Sequence, residues 1–164
     1  MLKIGYAIVV GACLVAGSAY ADCQIARVAA DVKLTQPVEG VIAPTGGFGM
    51  RTHPVLGTIR MHPGLDFEAP NGTPVAAAAA GEVVQAERIG EYGLAVMVRH
   101  AVGLETFYTH LSKFAVKPGD CVTAGGLLGW TGSTGLSSSA HLHFEVHRGG
   151  APVDPAPLLA HLSK

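Results

Sequence analysis

Glycine and proline restrict what this chain can fold into more than any other feature. It holds 22 glycines and 10 prolines in 164 residues, and past residue 36 they separate short apolar runs at the spacing of strands and turns. A helix interior disfavours proline by ~3 kcal/mol and glycine by ~1, so the chain reads as mostly β. Strands are expected at residues 40–42, 73–77, 81–87, 95–100, 105–111, 121–123, 127–131 and 141–148, with Gly90, Gly93, Gly103 and Gly119 in the turns between them. The alanine run 76–80 looks helical, but Pro74 and Gly81 bracket it, and it is read as strand and turn. Helix is expected only at 26–34 and at 155–162, where Asp154 can cap and Pro155 can take the first helical position. Two stretches, 43–57 and 132–139, read as long loops, the places where a strand scaffold often carries function.

The run A-H-L-H-F-E-V-H, residues 140–147, alternates with a period of two. As a strand it sends Leu142, Phe144 and Val146 to one side and His141, His143, Glu145 and His147 to the other. Histidines two apart on a strand sit ~7 Å apart and can converge on one small centre, whereas His147 lies ~13 Å from His143, too far to share it.

The first 21 residues carry one lysine, an apolar run and Ala19-Tyr20-Ala21, the pattern of a secretory signal peptide cleaved after Ala21. Their apolar core, residues 4–16, is shorter than the ~20 residues of a spanning helix, so no membrane span is expected after cleavage. Removing 21 of 164 residues leaves 143, enough for one domain with a core. The expected organisation is a signal peptide at 1–21, an N-terminal segment at 22–36, a main domain at 37–158 and a tail at 159–164. Without Lys3, 10 Lys+Arg face 12 Asp+Glu. Nothing in that balance suggests a nucleic-acid partner. Cys13 leaves with the signal, and Cys23 and Cys121 remain, an even number in an oxidising compartment, as a disulfide or as two free thiols.

The partner search for the paired histidines points to M-H-P-G-L-D-F, residues 61–67. Pro63 and Gly64 argue against helix, so His62 and Asp66 are expected to meet across a turn leading into a strand. Two imidazoles and a carboxylate are the kind of set that catalytic zinc sites use, with a fourth position open to water. Spacing alone does not decide which of His141 and His143 joins them.

Taken in order, P-V-E-G-V-I, F-G-M-R-T-H-P, H-P-G-L-D-F-E-A-P-N-G-T-P-V, Y-T-H-L-S, V-K-P-G-D, G-S-T-G, H-L-H-F-E-V and P-V-D-P, running from Pro37 to Pro155, resemble the zinc peptidoglycan endopeptidases of the lysostaphin and LytM type. The resemblance implies a single antiparallel domain, a duplicated-hybrid-motif-like β-sandwich with long active-site loops and little helix. It also implies one zinc ion held by His62, Asp66 and His143, with His110 and His141 as the catalytic pair. The implied activity is an exported metallo-endopeptidase, in the periplasm or cell envelope of a bacterium, cutting peptide crosslinks between peptidoglycan stem peptides. The alternative is a non-catalytic peptidoglycan-binding or amidase-activating module of the same fold, and a regulatory protein partner is left open. Arg51 is a candidate for binding a stem-peptide carboxylate, or for pinning its loop to an acidic neighbour. His53 and Glu145 are read as a plain loop histidine and strand glutamate, and His100, His147 and His161 as solvent-facing.

Overall fold

The computed structural model describes Cys23, residues 34–40 and residues 44–160. Its strands are β1 (Gly49–Thr52), β2 (Ile59–His62), β3 (Leu65–Glu68), β4 (Pro74–Ala76), β5 (Gly81–Ile89), β6 (Gly93–Arg99), β7 (Leu104–Leu111), β8 (Lys113–Phe114), β9 (Cys121–Val122), β10 (Leu127–Trp130), β11 (His141–Arg148) and β12 (Ala151–Val153). The expected mostly β fold is what forms. Among the described residues helix is confined to single 3-10 turns at Gly90–Tyr92, Ala101–Gly103 and Ala156–Leu158. Among the described residues no helix is long and apolar enough to cross a membrane.

Every paired strand is antiparallel. The large sheet runs β12-β11-β7-β6-β5-β9 with β3 also on β11, a small sheet runs β4-β10-β8, and β1 and β2 form a separate hairpin. The alternation in 141–148 sets the inner layer: Leu142, Phe144 and Val146 are fully buried. They join Tyr108, Val96, Val98 and Val83 from the large sheet, with Val75 and Leu128 from the small one, in one core. Each such aliphatic side chain stabilises the fold by about 1.5–3 kcal/mol on burial.

One edge of β11 is shared. β3 covers its first half and β12 its second, while β7 lies along the other edge. The chain reaches β3 through Pro63-Gly64, and a side chain at 64 would put its Cβ 2.3 Å from the Phe144 carbonyl oxygen, so only glycine passes there. Cys23 is joined to Cys121 of β9 by a disulfide, their Cα atoms 5.3 Å apart, which settles the pairing the sequence left open.

Several expectations need correction. The loop assigned to 43–57 contains β1, and β2, β8 and β12 were not placed as strands, each being four residues or fewer, while β3 is the strand that the turn at His62 was expected to lead into. The C-terminal helix shortens to one turn. The Asp154 carboxylate accepts from the Ala156 N–H (2.9 Å) as a cap should, but Leu159 then leaves the turn to bridge Leu34, and both are buried. The expected helix at 26–34, apart from Leu34, and most of the strand at 40–42 lie outside the described residues, as do residues 1–21 and His161. His100 is not solvent-facing. It is 4% exposed, donates Nδ1–H to Ala80 O (2.8 Å) and has Nε2 2.7 Å from Thr106 Oγ1, which also meets Tyr108 Oη at 2.8 Å. Burial lowers the His100 pKa and keeps the ring neutral, against smaller upward pulls from the Ala80 bond and Glu105.

Candidate metal centre

Register builds the centre. His143 on β11 is directly opposite Asp66 on β3, and residues directly opposite in an antiparallel pair share a face with Cβ atoms ~5 Å apart. Asp66 is fixed from its other side as well. Its N–H donates to Gly46 O (2.9 Å) and its C=O accepts from Thr45 N–H (2.8 Å), so residues 45–46 form a short bridge to it. His62 ends β2, three residues before β3 begins.

Three donor atoms meet as a result. His62 Nε2 is 3.0 Å from Asp66 Oδ1 and 2.9 Å from His143 Nδ1, and His143 Nδ1 is 2.9 Å from Asp66 Oδ1. Both rings have their other nitrogen committed. His62 Nδ1–H donates to Gly47 O (2.6 Å), and His143 Nε2–H donates to Glu145 Oε1 (2.9 Å). In the neutral tautomers these bonds dictate, two nitrogen lone pairs and a carboxylate oxygen face one point. Lone pairs so placed repel unless a cation or a shared proton lies among them, and the set is one that could hold a divalent metal. The Asp66 carboxyl is held well below the usual carboxylate range: burial pushes it up, but its bonds to His143 and His62 together outweigh that.

His110 reaches this point by breaking the rule that its strand obeys elsewhere. Parity places Tyr108 with the core, where it is fully buried, and Phe107 on the other face, against Tyr92 and His147. An extra residue in β7 opposite β6, between the pairs Leu94↔Leu111 and Val96↔Tyr108, makes a bulge. His110 sits in it with φ 59°, a left-handed conformation rare for a residue with a Cβ. The turn swings its ring out of the core to lie 4.7 Å from that of His141 and 6.1 Å from that of His143.

The Gly-Ser loop orients both of these rings. His110 Nδ1–H donates to Thr134 O (2.8 Å), and His141 Nδ1–H donates to Ser139 O (2.9 Å). Each Nε2 is left as an acceptor, and that of His141 lies 3.8 Å from Asp66 Oδ1. The loop is itself locked. Gly135 has φ 78° and packs so tightly on Gly93 that a Cβ at 135 would sit 2.4 Å from Gly93 N. Burial brings the His110 pKa down to about 4, with the neighbouring His141 and His143 adding to it and the Thr134 bond opposing it, so the ring is neutral at ordinary pH.

Arg51 extends from β1 to Asp66 Oδ2, the pinning alternative rather than a free guanidinium. Gly46 makes room for this contact, since its Cβ would lie 2.3 Å from Asp66 Oδ2. The loops 43–57 and 132–139 both border a cleft of about 550 Å³ that opens onto the three donors.

Three residues matter more than the sequence suggested. Glu145 is 1% exposed and bridges His143 Nε2 to His147 Nε2. Burial pushes its carboxyl up, but these bonds together bring it down to about 2. His147 is accordingly half-buried and bound rather than solvent-facing. Tyr92, in a turn with no pattern to mark it, lines the cleft with its ring 6.1 Å from that of His143, and burial with the nearby Glu145 raises its pKa. Period-two parity puts Glu145 beside His143 on one face, and that was the available signal. His53 does what a loop histidine does: its Nδ1 accepts from the Val55 and Leu56 N–H groups.

A donor triad of this kind on a curled antiparallel sheet, flanked by two imidazoles with free acceptor nitrogens, has the architecture of a metal-dependent peptidase. The comparisons agree, and the chain belongs to peptidase family M23, whose family model matches residues 60–155. Over 108 residues it is 51% identical to the DD-carboxypeptidase/endopeptidase Mpg of Neisseria meningitidis, a match covering 66% of this chain and 25% of that protein. It thus spans about a quarter of the length of that curated relative. Among solved structures, a zinc containing peptidase from Vibrio cholerae superposes with TM-score 0.70 at 32% identity, covering 82% of this chain and 40% of that one. The catalytic domain of lysostaphin from Staphylococcus simulans gives 0.64 at 36% identity, covering 71% and 90%.

Proposed function

We propose that this chain is an exported zinc metallo-endopeptidase that hydrolyses peptide crosslinks in bacterial peptidoglycan. The observation that carries the reading is the meeting of His62 Nε2, His143 Nδ1 and Asp66 Oδ1 within 3.0 Å of one another, with both imidazole N–H groups already donated elsewhere. These three residues would hold one zinc ion. When bound, zinc lowers the pKa of its water toward ~7 and polarises a peptide carbonyl.

The chain's own groups supply the proton handling. His110, neutral and with Nδ1–H tied to Thr134 O, presents Nε2 as an acceptor for a proton from the attacking water. His141, its Nδ1–H tied to Ser139 O and its Nε2 3.8 Å from Asp66 Oδ1, completes the pair. Once protonated, either ring can donate to the developing oxyanion or to the leaving amine. Arg51 holds the second Asp66 oxygen and so fixes the carboxylate's orientation. The two bordering loops form the walls of a groove for an extended peptide.

Export is supported by the signal-like residues 1–21 and by the Cys23–Cys121 disulfide, a bond that persists in oxidising compartments. The peptidoglycan substrate is inferred from relatives such as Mpg, named a DD-carboxypeptidase/endopeptidase. The test is digestion of purified crosslinked sacculi with zinc-loaded protein and with its His143→Ala variant, followed by fragment separation. Newly uncrosslinked stem peptides from the first sample alone are expected. Identical profiles from both would end the enzyme reading.

A further inference from the structure

We propose that Arg60 binds a free carboxylate of the substrate about two residues from the amide that is cut, and that Glu91 occupies it between turnovers. The inference rests on the peptidase reading above and names a property of its substrate.

Arg60 on β2 lies directly opposite Arg51 on β1, so two guanidinium groups share one face. Like charges placed this way repel, and each needs its own anion. Arg51 has the half-buried Asp66. Among the described residues Arg60 has Glu91 alone, from the 3-10 turn Gly90–Tyr92, with Nη1 3.3 Å from Oε2. The two side chains are 45% and 64% exposed, and a pair so exposed and so long contributes little to stability. A substrate carboxylate can therefore take the place of Glu91 at small cost, and the flat guanidinium can meet it with two parallel bonds.

Position selects the ligand. Arg60 precedes His62 by two residues on the same strand, so their side chains leave the same face ~7 Å apart. Both border the cleft. Of the two arginines along it, Arg51 is committed to Asp66 and Arg60 is the exchangeable one. That ~7 Å offset matches about two residues of extended peptide.

The experiment uses the zinc-loaded full chain and two muropeptide dimers, one with free carboxylates within two residues of the crosslink and one with those carboxylates converted to carboxamides. Initial rates give kcat and KM for wild type, R60Q and E91Q. Wild type is expected to show a KM for the amidated dimer about tenfold above that for the free one, the scale of a partly exposed charge-assisted contact. In R60Q the ratio is expected to fall to about one, with the loss in KM rather than kcat, and in E91Q the KM for the free dimer is expected to drop. A ratio unchanged in R60Q, or a KM raised in E91Q, overturns the inference while leaving cleavage by the wild type intact. Wild type that cuts neither dimer overturns the peptidase reading and the inference together.

Discussion

Replacing Glu145 tests whether the donor triad depends on the residues behind it. The carboxylate is 1% exposed and its two oxygens take His143 Nε2–H (2.9 Å) and His147 Nε2. In E145A the His143 N–H loses its acceptor inside the protein, which costs about 1–3 kcal/mol of stability. The ring is also freed to rotate or to adopt the other tautomer, and loss of such an outer partner weakens metal binding by roughly 10–100-fold. E145Q keeps a carbonyl oxygen at nearly the same place, so it should fall between wild type and E145A on both counts. Zinc affinity measured by competition with a fluorescent chelator, beside urea denaturation of the metal-free proteins, separates the two effects. If E145A bound zinc within about twofold of wild type while losing stability, Glu145 would be packing and not orientation, and the tautomer reasoning would be wrong.

Gly46→Ala should cost at least about tenfold in zinc affinity, because its Cβ would meet Asp66 Oδ2 at 2.3 Å and force the carboxylate aside; the same competition assay reads it. Reducing the Cys23–Cys121 bond, which spans 98 residues, should lower stability by about 2–4 kcal/mol, seen as a lower urea midpoint with reductant and no such shift in C121S. The depressed His100 pKa sets a pH dependence. The unfolded chain takes up a proton near pH 6.5 that the folded ring refuses, so this contribution is complete above about 6.5 and declines as the pH falls below it. Urea midpoints should drop between pH 7.5 and 5.5 by more in wild type than in H100Q, and equal drops would assign the dependence to other groups.

The long strands were legible because alternation and glycine turns are local signals: β11 has the predicted limits, and β5, β6, β7 and β10 lie within two residues of theirs. Of the short strands, β4 and β9 were expected within a residue of their limits, but β1, β2, β8 and β12 were not. β1 and β2 pair mainly with each other, and their exposed Met50, Ile59 and Met61 give no inward face to read. The three donor positions came from motif order rather than from geometry, since nothing in H-x-x-x-D and H-x-H says that β3 lies on β11 with Asp66 facing His143. His110 shows where parity fails. A bulge and a left-handed backbone turn its ring to the cleft, and neither leaves a mark in Y-T-H-L-S. Glu145 and His100 were undervalued for a common reason. A polar side chain is buried only when its partners arrive from elsewhere in the fold, and single residues do not announce those partners.

The central claim is that His62, Asp66 and His143 together hold a divalent ion, and elemental analysis reads it most directly. Wild type loaded with zinc and desalted should retain about one equivalent per chain, and the H62A/D66A/H143A variant none, with both showing the same far-ultraviolet circular dichroism. A wild type that comes through without metal, or a triple variant that keeps a full equivalent, would contradict it.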